Sequence, residues 1–239
     1  MTTVAAVTNG LSVWMAADGI AVDEANRRWP EPHKIARLPV FTEAASRQGE
    51  RAEALIGIGG AIALVALVQH ELTLEQAPAR GDDRDLYMWA HSVARAITGL
   101  ALELRPPITD AEGHLDGLGL LGFAGRLWSL TENAATPLPP AWAIGTGGEY
   151  ALGAVHAQMV AAPERAPEDV LRTALATAIV HDGSSGHPVH VERVDTPYAS
   201  GLRRLGDDPT LPLPKAERVI VLPQSSRSAA ATIDSRDQT

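Results

Sequence analysis

Hydrophobic and polar positions along the chain fall into short β-rich runs and longer stretches of helical period. Residues 2–7 and 11–17 are β-rich runs, and the Asn9-Gly10 pair between them is a strong hairpin signal. Residues 35–40 and 54–58 read as a second strand pair, with the polar stretch 42–53 as a long connection. The run 55–68 is uncharged, carries three glycines and falls short of the roughly 20 residues that span a bilayer, so it reads as a strand, a glycine turn and a buried helix. Apolar residues at i, i+3, i+4 and i+7 predict helices over 61–76 and from Asp83 or Asp85, the N-cap candidates, to Leu104, where Arg105-Pro106-Pro107 stops the second.

The second half repeats that order. A hairpin is predicted over 114–121 and 125–130, a short strand over 142–145, helices over 149–160 and 167–181, and strands over 189–194 and 218–222. Strands and paired helices in this alternation imply an α+β fold with two antiparallel sheets and helices stacked outside them. The single domain spans 1–222, and the Ser-, Ala-, Asp- and Arg-rich stretch 223–239 is expected to be a disordered tail.

Composition narrows the function. The chain of 239 residues holds no cysteine, which removes disulfide frameworks, thiolate zinc sites and cysteine nucleophiles. A net charge of -9 argues against nucleic-acid binding, since phosphate contacts need a basic surface. No positive segment precedes the first apolar run, so a cytoplasmic protein with no membrane anchor is expected. Of the 20 basic residues only Lys34 and Lys215 are lysine. A position that keeps lysine in so Arg-biased a chain invites a chemical reason, because lysine can lose its proton at tolerable cost and arginine cannot.

That reason is available near the start. Removal of Met1 ahead of a small residue would leave Thr2 with a free α-amine beside its own hydroxyl. The hydroxyl is a weak nucleophile until a base takes its proton, and an amine of pKa about 7.7–8.0 can be that base. Asp18 lies sixteen residues on, at the end of the hairpin's second strand, and Lys34 sixteen further. A cation beside the hydroxyl would ease alkoxide formation, and a carboxylate would orient that cation.

Thr2-Thr3-Val4, Asp18 and Lys34 resemble, in identity and spacing, the N-terminal-nucleophile threonine proteases, namely the proteasome β-subunits and the bacterial HslV-type protease. The stretch Ile144-Gly145-Thr146-Gly147-Gly148-Glu149-Tyr150-Ala151 looks like the family's glycine loop before its third helix, with Thr146 in place of serine. The turn Asp182-Gly183-Ser184-Ser185-Gly186 is similar to the one after its fourth helix. The resemblance covers about residues 2–195 and implies a four-layer αββα sandwich, ring-forming subunits (hexamer or heptamer, single or stacked), and peptide or unfolded-protein substrates. An ATPase unfoldase partner belongs to the same picture, and no cofactor or metal does. It further implies Thr2 as nucleophile, Asp18 and Lys34 as its activating pair, and Thr146, Asp182 and Ser185 around the amine and a water. Gly57, with Gly59 as the alternative, would supply the oxyanion N–H, Val22 would hold the substrate as an added strand, and Leu55 would line an apolar pocket. The segment between Lys34 and Gly57 is longer than the family's, and Ala61 and Ile62 stand where an acidic residue is usual.

Two other readings share this architecture: an amidase acting on a small molecule, and a ring-forming subunit without activity. A metal site at His181, His187 and His190 is disfavoured because residues 187 and 190 fall on opposite faces of a strand.

Overall fold

The Asn-Gly turn does what its chemistry predicts. Asn9 Oδ1 accepts the N–H groups of Leu11 and Ser12 at 2.9 and 2.8 Å, Gly10 takes a φ of 83°, and the chain reverses. A computed structural model describes residues 2–22, 27–30, 33–48, 51–104 and 117–198. Its first half contains β1 (Thr3–Thr8), β2 (Ser12–Asp18), β3 (Ile20–Val22), β4 (Arg28–Pro30), β5 (Ile35–Val40), α1 (Glu43–Gln48), β6 (Ala52–Gly60), α2 (Ile62–His70) and α3 (Asp83–Leu104). There follow β7 (Gly117–Phe123), β8 (Arg126–Thr131), β9 (Ala134–Pro137), β10 (Ala141–Gly145), α4 (Gly148–Ala161), α5 (Pro167–His181) and β11 (Val189–Asp195).

Two antiparallel sheets form, in the orders β10-β1-β2-β11 and β5-β6-β7-β8-β9, with β3 and β4 a separate two-stranded ribbon. Strand β1 shows how the layers stack. Val4 and Ala6 point into a core shared with Met15, Leu120 and Leu127, between the sheets, while Ala5 and Val7 point outward to Leu171, Leu175 and Val155 of α5 and α4. Both faces are buried, so the strand reads as a continuous apolar run. On the far side Ile56 and Ile58 of β6 pack against α2 and α3 through Leu64, Val68, Leu86 and Val93. The result is the αββα sandwich expected from the sequence. Among the described residues no helix is long and apolar enough to cross a membrane.

Several boundaries move. The helix predicted over 61–76 stops at His70, because Leu67 O accepts the N–H groups of both Glu71 and Leu72 and closes the last turn. The chain then continues without regular structure, with the Ala77 N–H bonded to Phe41 O. The connection 42–53 contains α1, started by Thr42, whose buried hydroxyl accepts the Ala45 N–H at 3.0 Å. The ribbon β3-β4 and strand β9 had no counterpart in the sequence pattern. The predicted strand 218–222 and the tail 223–239 lie outside the described residues, as do residues 114–116.

The sheets approach closely where glycine faces the gap. A Cβ on Gly57 would lie 2.6 Å from Val4 Cγ1 and 2.8 Å from Met15 Sδ, and one on Gly122 would lie 2.6 Å from Val13 Cγ1. These contacts come from the other sheet and cannot yield without moving a strand. Gly57→Ala is therefore expected to lower stability by about 1–3 kcal/mol through overpacking. Urea unfolding measures this, and an unchanged midpoint would show that the gap can widen.

Candidate active site

Asp18 ends β2 with no exposure at all. A buried carboxylate needs donors, and this one has them on both oxygens. Oδ1 accepts the Thr3 N–H at 2.8 Å and Lys34 Nζ at 2.7 Å, and Oδ2 accepts the Gly186 N–H at 3.1 Å and the Ile20 N–H at 3.4 Å. Lys34, only 2% exposed, also donates to Ile20 O. The pair that the sixteen-residue spacing singles out is thus a buried ion pair joining β2 to the entry of β5.

Thr2, itself 4% exposed, stands next to that pair, since the following residue donates to the oxygen that Lys34 holds. Its carbonyl is fixed by the Thr146 N–H at 3.0 Å. This contact needs glycine just before Thr146. Gly145 has φ of +91°, and a Cβ there would lie 1.8 Å from Thr2 O. Gly147 serves similarly, because a Cβ on it would come within 2.3 Å of Thr3 Oγ1 and 3.1 Å of Asp182 Oδ2.

Asp182 follows α5 and collects three donors: Ser185 Oγ and Thr146 Oγ1 on Oδ2, both at 2.7 Å, and the Ser184 N–H on Oδ1 at 3.1 Å. Ser185 spends its proton on this carboxylate, so in its 2.7 Å contact with Thr3 the Thr3 hydroxyl is the donor. A chain of polar groups therefore runs from Thr3 through Ser185 and Asp182 to Thr146, whose N–H holds the Thr2 carbonyl. Thr3 enters this chain without having been marked by the sequence, where it reads as a β-branched strand residue.

The remaining positions fare differently. Val22 lies in β3 opposite Arg28, and the other edge of β3 has no strand partner among the described residues. Arg28 donates to Gly183 O, which lays the β3-β4 ribbon beside the Asp182 turn. Leu55 is fully buried in the core between the sheets, packed with Val4 and Leu120, and lines no open pocket there. Gly57 is corrected as well. The Ile58 N–H donates to Lys34 O at 3.0 Å, and antiparallel alternation then turns the N–H groups of Gly57 and Gly59 the other way, toward their β7 partners Leu120 and Leu118. Gly57 is a packing glycine. Of the β6 N–H groups that face β5, those at the Lys34 end are Ile58 and Gly60.

Among the described residues no three His, Asp or Glu side chains are grouped to hold a metal ion. His190 lies on β11 with its ring against His33, 4.6 Å between centroids.

No family model matches the sequence, and no curated protein matches it. Solved structures do match. Thiobacillus denitrificans BPH is similar with a TM-score of 0.59 at 19% identity, over 81% of this chain and 97% of that one. A further structure of that protein is in complex with Epoxomicin. HslV from Trypanosoma brucei gives 0.55 at 19%, over 81% and 99% of the two chains, and Anbu (ancestral beta-subunit) from Yersinia bercovieri gives 0.56 at 14%, over 87% and 88%. The chain has the proteasome-type fold of these HslV-like proteins.

Burial pushes the Asp182 carboxyl up, but the hydrogen bonds from Ser185, Thr146 and Ser184 outweigh it and hold the group below its ordinary 3.8. On acidification the unfolded chain takes this proton first, so the contribution is whole above pH 3.8 and is lost as the pH falls through the folded value. Urea midpoints of the wild-type protein should fall more steeply below that pH than those of Asp182→Asn; parallel curves would count against this role.

Proposed function

We propose that the chain is a threonine-type endopeptidase subunit with Thr2, exposed as the first residue by Met1 removal, as its nucleophile. The observation that carries this reading is the buried Asp18–Lys34 pair, whose carboxylate also holds the backbone of Thr3. An isolated buried ion pair contributes little net stability, which favours a chemical use for one kept beside a threonine.

In this mechanism the α-amine of Thr2 takes the hydroxyl proton, and Oγ1 attacks the peptide carbonyl carbon. The ammonium of Lys34 offsets the developing negative charge on Oγ1. The tetrahedral intermediate collapses with cleavage of the C–N bond, the proton passes from the α-ammonium to the leaving amine, and an ester remains on Thr2. Water, deprotonated by the same amine, hydrolyses the ester. Asp182, Ser185 and Thr146 hold the amine and that water. The carbonyl oxygen needs an N–H donor as it becomes negative. We assign this to Gly60, whose N–H faces the Lys34 side one alternation beyond the Ile58 N–H that Lys34 O occupies. The open edge of β3 at Val22 would take the substrate as an added strand.

Peptides and unfolded chains are the proposed substrates, delivered by an ATPase unfoldase in the cytoplasm. Assembly into a homo-oligomeric ring is supported by the fold and by exposed apolar residues on the outer helices, among them Met88 and Leu102 of α3 and Tyr150, Val160 and Val180 of α4 and α5.

The intact mass is expected to show loss of Met1, and incubation with Epoxomicin, the ligand of the Thiobacillus protein, should add one mass increment that Thr2→Ala abolishes. Peptide hydrolysis by Thr2→Ala should fall by about a thousandfold or more. Retained Met1 would leave no free amine on Thr2 and sink the mechanism.

A further inference from the structure

The two sheets meet along one edge, where β5 of one lies near β11 of the other. Two contacts close that seam. Arg37 of β5 bonds Glu192 of β11 at 2.6 Å and Glu53 of β6 at 2.5 Å, and one step nearer the active site the ring of His33 lies on that of His190, tilted by 58°. Both histidines adjoin the Asp18–Lys34 pair through the backbone. His33 immediately precedes Lys34, with its carbonyl held by Gln69 of α2, and His190 follows Val189, the residue opposite Asp18.

The chemistry of His190 is unusual for a seam. Its Nε2 is buried and has no hydrogen-bond partner among the described residues. A neutral imidazole tolerates this by leaving that nitrogen as an unused acceptor, but an imidazolium would carry an unpaired N–H and a charge into the same space. The groups around it sharpen the difference. The segment opposite contributes His33, Lys34 and Arg37, and β2 contributes Asp18, already held by Lys34. On β11 itself Glu192 is engaged by Arg37, which also binds Glu53 of β6. Helix α5 covers the opposite face of β11, where Arg172 bonds Val189 O. No free carboxylate is placed to receive the proton's charge among these. Burial and the charge of His33 hold His190 below its ordinary value, against a smaller opposing pull from Glu192.

We infer that His33 and His190 are a positioning pair which keeps Lys34 seated on Asp18 only while the His190 imidazole is neutral. The inference rests on the proposed peptidase reading for its effect on rate, but not for its effect on the seam. When the pH falls below 6.5, the unperturbed imidazole value, the unfolded chain protonates before the folded one, so stability drains until the folded His190 also titrates. Protonation parts the rings, and Lys34 is displaced along with His33.

The test uses the full chain and the variants His190→Phe, which keeps an aromatic ring without a titrating nitrogen, and His33→Gln, an exposed change that removes the facing ring should His190→Phe fold poorly. At about pH 7.5 His190→Phe, which keeps the ring contact, should hydrolyse a fluorogenic peptide within about twofold of wild type while His33→Gln, which removes it, should be slower, and at about pH 5.5 wild type should have lost about tenfold more kcat/KM than His190→Phe. Thermal midpoints over the same range read the seam without activity, and wild type should fall more steeply than either variant. If no protein cleaves peptide yet wild type alone loses its midpoint in acid, the peptidase reading fails and the pair stands. Superimposable acid limbs for wild type and both variants, in rate and midpoint, would overturn the pair.

Discussion

Burial of the Asp18 carboxylate is the constraint on which the arrangement turns. Withdrawing an ionised carboxylate from water costs several kcal/mol, and the cost is offset only if donors meet it from every side. They come from four separate places in the chain: Thr3, Ile20, Lys34 and Gly186. The hydrophobic effect brings the two sheets together but has no direction and sets no register. Asp18 supplies direction. It belongs to the first sheet, its cation enters the second, and the turn that carries Ser185 must close for its last donor to arrive.

Glycine makes the approach possible. Gly57 and Gly122 let the sheets meet where any side chain would strike Val4, Met15 or Val13, and Gly145 and Gly147 let the loop before α4 lie on the backbone of Thr2 and the hydroxyl of Thr3. Glycines thus both bring the packed core close and leave Thr2 enclosed by polar groups. A loop with side chains at 145 and 147 could still begin a helix, but it could not hold Thr2 O against the Thr146 N–H.

Much of this was legible from local patterns. Asn9-Gly10 specifies a reversal by its own turn chemistry, Pro167 with Glu168 and Asp169 starts α5, and the opening hairpin carries Asp18 back to Thr3, so Thr2, Asp18 and Lys34 group from the sequence alone. What stayed hidden depends on partners distant in sequence. The direction of the Gly57 N–H follows from the register of β6 against both neighbours, and a slip of one residue would reverse it. Leu55 is apolar whether it lines a pocket or fills a core. Thr3 looks like any β-branched strand residue until Ser185 arrives from 182 positions away. The ribbon of β3 and β4 is too short to show a period, and its Arg28 is recognisable only by the carbonyl it meets.

The scarcity of lysine takes on meaning from burial. Arg37, Arg126, Arg172 and Arg193 make their ion pairs at exposed or half-exposed positions, where a pair contributes little and the several N–H groups of a guanidinium find acceptors, as Arg37 does on Glu192, Glu53 and the Arg193 carbonyl. Lys34 is different in kind, because its ammonium sits at 2% exposure between one carboxylate oxygen and one carbonyl. A guanidinium brings five N–H donors in a fixed plane, each needing an acceptor once buried, whereas the space beside Asp18 and Ile20 is one that a compact cation fills. The position that resists the chain's bias is therefore the one where volume and donor count are both prescribed, and these are also the properties that a cation beside a threonine hydroxyl requires.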